Sequence, residues 1–261
     1  MQIGFCTDPA TLATLPARPA CDFIEGHVVN FLTPEAPDAD FAPRAAAVKA
    51  CGYPMPAANV LLPAALKVTG PEIDYARLDR YATNVFRRSK EIGITLIVFG
   101  SAGARMIPEG FSATKAFEQY VDVLKQFGPL AEENGVTLVV EPLNRVECNL
   151  VNTILEGAEA VRRANTNGVK LLVDIFHMLR NGESPDDIEK VGPLIRHAHV
   201  AEDKDRAAPS VNGEDLRPFY RALHRAGYRD RLTIEAVWTD LPNQLGPALE
   251  KLRGDLKDVG Y

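Results

Sequence analysis

Apolar residues gather in short, nearly continuous runs, separated by longer stretches in which they recur every three or four positions. The short runs fall at Gln2–Cys6, Asp22–His27, Asn59–Leu62, Ile94–Phe99, Val136–Glu141, Lys170–Asp174, Arg196–Val200 and Leu232–Ala236. Runs such as ITLIVF (Ile94–Phe99) alternate too little for a half-exposed sheet and suit parallel strands covered by helices. The stretches Asp74–Ile92, Ser112–Asn134, Thr153–Asn165, Gly213–Ala226 and Leu241–Lys257 carry helical spacing and read as amphipathic helices. Asn134-Gly135 and Ala226-Gly227 put a glycine where a left-handed stop is needed, and Ser184-Pro185-Asp186-Asp187 reads as a cap with proline in the first turn.

Eight strands alternating with helices leave two architectures, a closed barrel or an open doubly wound sheet. No Gly-x-Gly-x-x-Gly fingerprint is present, and eight strands close a barrel, so we expect an α/β chain with residues 1–261 forming one (β/α)8 TIM-barrel domain. The Pro- and Ala-rich stretch Asn30–Pro56 is expected to carry a long loop and one helix over the second strand.

In such a barrel the carboxyl ends of the strands meet at one mouth, so polar residues closing apolar strands are the first candidates for chemistry. Glu141 closes VTLVVE, Asp174 closes KLLVD, His199 stands near the end of RHAHV, and Glu235 closes LTIE. Three carboxylates with one imidazole suit a divalent ion, Mn2+ first and Mg2+ or Co2+ as alternatives. Each residue also has a plainer reading. Glu141 and Glu235 fit solvated helix starts, Asp174 fits a cap, and His197 or His199 fits a core histidine.

The segments VVEPLNRVE (Val139–Glu147), VDIFHM (Val173–Met178), HAHVAE (His197–Glu202) and TIEAV (Thr233–Val237) together resemble the xylose-isomerase-like superfamily. Their order and spacing are most similar to the ketose 3-epimerases of the tagatose and psicose (allulose) type. The resemblance implies Glu141, Asp174, His199 and Glu235 as metal ligands, Glu141 and Glu235 as the catalytic proton-transfer pair, and Glu147, His177 and Arg206 as substrate-binding groups. It implies one divalent metal ion, no organic cofactor, a small sugar substrate and a homodimer or homotetramer. Val237 stands where an aromatic is typical, which leaves the sugar open, and the Gly100–Arg105 loop offers an alternative hold for an anionic group.

The same apparatus serves an aldose–ketose isomerase of the hydroxypyruvate-isomerase kind or a keto-sugar dehydratase. A phosphodiesterase like the AP endonucleases needs more histidines than His27, His177, His197, His199 and His224 supply at strand ends. A net charge of −6 also disfavours nucleic acid. A non-catalytic sugar-binding barrel would not need two proton-transfer carboxylates. Cys6, Cys21, Cys51 and Cys148 form no Cys-x-x-Cys pair and are expected to be buried apolar residues. No long apolar segment suggests a membrane, so a cytoplasmic location is expected.

Overall fold

In the computed structural model, which describes residues 1–261, the chain forms eight parallel strands closed into one barrel in sequence order. They are β1 (Gln2–Cys6), β2 (Phe23–His27), β3 (Ala57–Asn59), β4 (Leu96–Phe99), β5 (Thr137–Val140), β6 (Val169–Asp174), β7 (Ile195–Val200) and β8 (Arg231–Ile234). Closure is made by β1 against β8, from Gln2 opposite Arg231 to Phe5 opposite Ile234. The α-helices are α1 (Pro9–Ala13), α2 (Val28–Phe31), α3 (Asp38–Ala50), α4 (Tyr75–Ile92), α5 (Ala102–Arg105), α6 (Ala113–Glu133), α7 (Ile154–Ala164), α8 (Ile175–Asn181), α9 (Asp186–Val191), α10 (Arg217–Arg225) and α11 (Leu241–Asp258).

Local chemistry fixes the helix starts. Asp74 accepts the Arg77 N–H at 2.8 Å, and Thr153 with Glu156 forms a reciprocal capping box. The main apolar core lies between strands and helices, with Phe86, Tyr120 and Phe127 packed outside β4 around Phe99. Inside the barrel, Ala57, Leu96, Val98, Val139 and Leu172 form a small separate apolar cluster. Towards β2, β7 and β8 the inward positions turn polar, with Glu25, His197, His199 and Thr233 all fully buried. Buried polar groups of this kind persist only when they satisfy one another.

Four expectations need correction. The third strand is Ala57–Asn59 rather than Asn59–Leu62, because Val60 turns to φ +52° and ends it. Leu61 and Leu62 are apolar because the loop buries them in the core. The helix expected from Gly213 starts at Arg217, since the N–H groups of Ser210, Asn212 and Gly213 are turned onto the Glu202 carboxylate. Stretch 30–56 carries the end of α2 and then α3, and Pro185 rather than Ser184 occupies the cap position of α9, with Ser184 Oγ accepting the Asp186 N–H. The short α1, capped by Asp8 on the Ala10 and Thr11 N–H groups, has no counterpart in the apolar pattern. No helix is long and apolar enough to cross a membrane.

Candidate metal and active site

Strand ends bring Glu141, Asp174, His199 and Glu235 together, with one donor atom of each within 4.8 Å of the others. His199 Nδ1 lies 3.2 Å from Glu235 Oε2, 3.3 Å from Glu141 Oε1 and 3.8 Å from Asp174 Oδ2. Asp174 divides its two oxygens: Oδ1 caps α8 by accepting the His177 N–H at 3.0 Å, while Oδ2 is buried without a hydrogen-bond partner. Glu141 Oε1 is likewise buried and unpartnered. Two orphaned carboxylate oxygens beside an imidazole nitrogen fit a divalent cation in donor type and in charge.

The electrostatics call for positive charge at this point. Burial pushes the Glu141 carboxyl up, partly offset by His199. Burial also opposes ionisation of Glu235, but His199 and Arg206 outweigh it and hold that carboxyl at about 2. For His199, burial is outweighed by Glu25 and Glu235, which drive the imidazole well above its ordinary value.

Beneath His199 lies a residue that the strand-end argument missed. Glu25, on β2, faces His199 Nε2 at 3.0 Å and His197 Nε2 at 2.8 Å and accepts from Thr233 Oγ1 at 2.7 Å. A carboxylate only accepts, so both facing ring nitrogens carry their hydrogens and His199 turns a bare Nδ1 toward the mouth when neutral. Burial opposes the Glu25 charge, yet His199 and His197 hold the carboxyl well below its ordinary range. The available signal was a charge in the middle of FIEGH at an inward alternate position.

Around the cluster stand the three residues expected to contact substrate. Arg206 Nη2 donates to Glu235 Oε2 at 2.5 Å, and its guanidinium lies 4.6 Å from the centre of the Phe176 ring. His177 Nδ1 accepts from the Asn144 backbone N–H at 3.2 Å, so its Nε2 carries the hydrogen, 3.8 Å from Asp174 Oδ2. Glu147 accepts from Asn144 Nδ2 at 2.8 Å and lies 3.6 Å from Arg206, half-exposed at the rim. Asn59, at the end of β3, donates to Glu235 Oε1 at 2.8 Å. Arg206 is held in a left-handed conformation by a loop whose N–H groups converge on buried Glu202.

Two further expectations change here. Arg105 neither faces solvent nor is free to hold an anion: it is fully buried and donates to the carbonyls of Glu141 at 2.7 Å and Phe99 at 3.3 Å, tying β4 to β5. Of the cysteines only Cys148 is buried; the other three are partly exposed, and Cys6 accepts from Asn59 Nδ2 at 3.3 Å beside the mouth. Val237 points to solvent at 58% exposure, and its neighbour Trp238 packs edge-on against Phe5. A Cβ at Gly100 would lie 1.9 Å from Glu141 Oε2, so a larger residue there would displace that carboxylate.

The family described as Xylose isomerase-like TIM barrel matches residues 46–255. The D-psicose 3-epimerase of Agrobacterium fabrum is 31% identical over 156 residues, covering 53% of this chain and 52% of that protein. The inosose isomerase of Bacillus licheniformis is 30% identical over 126 residues, covering 44% and 45%. The chain thus spans about half the length of the curated relatives it matches. Among solved structures, D-allulose 3-epimerase from Methylomonas sp. superposes with a TM-score of 0.84 at 21% identity, covering 98% of both chains, a likeness of fold. With four-fifths of its length matched and its barrel closed in the same way, the chain belongs to the xylose isomerase-like TIM barrel family.

Proposed function

We propose that the protein is a divalent-metal-dependent sugar epimerase or isomerase acting on a ketose or related keto sugar, by proton abstraction and return through an enediolate. The observation that carries this reading is the pair of buried, unpartnered oxygens, Glu141 Oε1 and Asp174 Oδ2, facing His199 and Glu235 at the mouth. The ligands are Glu141, Asp174, His199 and Glu235. When bound, the ion supplies Lewis-acid polarisation of the substrate carbonyl.

The side chains supply the rest. Glu141 and Glu235 reach the site from β5 and β8, so that one carboxylate takes the proton next to the carbonyl while the other returns one. Arg206 and the Nε2–H of His177 donate to substrate oxygens, adding stabilisation as negative charge develops. Glu147 orients a hydroxyl at the rim. The relatives, named psicose 3-epimerase and inosose isomerase, support sugar-type substrates. Mn2+ as the ion, a homodimer or homotetramer and a cytoplasmic location belong to the same reading; metal analysis and sedimentation test the first two.

The deciding experiment incubates Mn2+-loaded protein with a panel of ketoses in deuterated water and follows label by NMR. Label at carbon 3 with an inverted product is the expected result. Label at carbon 1 with an aldose product would make it an aldose–ketose isomerase, and loss of a hydroxyl a dehydratase. Glu235→Gln abolishes turnover under this reading, whereas a binding protein would retain its ligand affinity.

A further inference from the structure

Glu235 uses its two oxygens differently. Oε2 faces the cluster, 3.2 Å from His199 Nδ1, and accepts from Arg206 Nη2 at 2.5 Å. Oε1 is engaged on another side, by Asn59 Nδ2 at 2.8 Å. Asn59 is itself fixed: it closes β3 in register with His27, is 1% exposed, and directs the same Nδ2 to Cys6 Sγ at 3.3 Å. The reversed amide would set its oxygen against Glu235 Oε1, two acceptors facing each other, so the NH2 is the end that meets the carboxylate.

Each carboxylate oxygen offers about two lone-pair sites. Oε2 serves Arg206 and faces the cluster, which leaves it none to spare once an ion is held there. Oε1 serves Asn59 with one and keeps the other. Carboxylates bind divalent ions through one oxygen or through both, so a Glu235 free to turn would bring Oε1 onto the ion as well and lose that spare site. Glu235 is also the carboxylate most open to the mouth, with its side chain 19% exposed against 6% for Glu141 and 1% for Asp174. A substrate entering the mouth therefore meets this oxygen more readily than those of the other two.

Resting on the epimerase reading above, we infer that Asn59 is a positioning residue that holds Glu235 Oε1 off the ion, so that Oε1 is the atom that takes the proton beside the substrate carbonyl. In that step the C–H bond breaks, the proton forms an O–H bond at Oε1, and the electron pair left on carbon passes to the carbonyl oxygen as the enediolate. Glu141 gives a proton to the opposite face, and in the reverse direction the two carboxylates exchange duties.

The test uses Mn2+-loaded protein carrying 13C-labelled glutamate. Infrared difference spectra against metal-free protein give the separation between the symmetric and asymmetric carboxylate stretches, wide for binding through one oxygen and narrow for binding through two. The Glu235 bands are assigned by their loss in Glu235→Gln. Chelator competition gives the Mn2+ Kd, and solvent deuterium exchange with the ketose panel gives kcat and KM. A wide Glu235 separation is expected in the parent, and a narrow one there overturns the inference before any Asn59 variant is made. Asn59→Ala, and Asn59→Leu of nearly the native size, should narrow the separation, leave Mn2+ bound at least as tightly, and lower kcat by about a hundredfold with little change in KM, as loss of a placed general base implies. An unchanged separation in both variants overturns the inference whatever the kcat, and so does narrowing with unchanged kcat, which would put the proton elsewhere. Weaker Mn2+ binding whose loss of kcat disappears at saturating Mn2+ overturns it too, by making Asn59 a support of the ion. No exchange by the parent with any ketose overturns the epimerase reading and the proton-transfer role with it, and the infrared separation then decides alone whether Asn59 holds Oε1 off the ion.

Discussion

Replacing Glu25 by Gln changes one atom beneath the metal cluster and alters every hydrogen bond that atom's group accepts. The native carboxylate accepts from His197, His199 and Thr233 at 2.7–3.0 Å. A glutamine keeps one acceptor oxygen and presents an NH2 on the other side. If the oxygen stays with Thr233 and His197, the NH2 faces His199 Nε2, which must accept; the ring hydrogen then sits on Nδ1, the atom 3.2–3.8 Å from the three carboxylates. That tautomer cannot ligate. The flipped amide spares His199 but forces hydrogen onto His197 Nδ1, which is buried without a partner. Either arrangement weakens the site, and the loss of a supporting charge adds to it. Changes of this kind cost about 10–100-fold in metal affinity, or about 1.4–2.7 kcal/mol. Mn2+ titration against a competing chelator measures the affinity, the melting temperature of metal-free protein controls for folding, and 15N NMR of His199 reads the tautomer. A dissociation constant within threefold of the parent, with Nε2 still protonated, would refute the reasoning.

Three other perturbations probe different parts of the frame. Gly100→Ala pushes a Cβ into the space 1.9 Å from Glu141 Oε2, so metal affinity should fall by about tenfold or more with little change in melting; unchanged affinity would mean Glu141 is not a ligand. Arg105→Leu strands the carbonyls of Phe99 and Glu141 and should cost about 2–4 kcal/mol in urea unfolding; a loss below 1 kcal/mol would show that water replaces the guanidinium without penalty. Burial pushes Glu183 from 4.5 up to about 7, so between those values the folded chain holds a proton that the unfolded chain has released. Stability therefore falls as pH rises through that window and levels off above it, by about 1–2 kcal/mol after discounting for solvent screening. Glu183→Gln should flatten that part of the curve, because its amide oxygen can still accept the Ile154 N–H.

What could be read from the chain depended on whether a residue's surroundings were local. Glu141, Asp174 and Glu235 announce themselves by closing apolar runs, and strand periodicity places His197 and His199 on one side. Glu25 carries no such mark, since its meaning comes from β7 and β8, which are 172 or more residues away in sequence. The β3 shift has a similar origin: Ala57 and Ala58 are weak strand formers and are strands here because β2 and β4 pair with them. Arg105 looks like a solvated loop cation until the fold closes β4 and β5 around it. Local pattern locates strand ends, while support from other strands becomes visible only after closure.

No loop residue separates β6 from α8: Asp174 ends one and Ile175 begins the other. With one oxygen of Asp174 committed to that helix, this flank of the mouth has no hinge. The opposite situation holds after β7, where residues 201–216 intervene before α10. Plasticity is thus divided around the rim. The long connection after β7 can change its course without disturbing a strand or a helix, whereas loosening the β6–α8 junction would unwind α8 and move Asp174 in the same step.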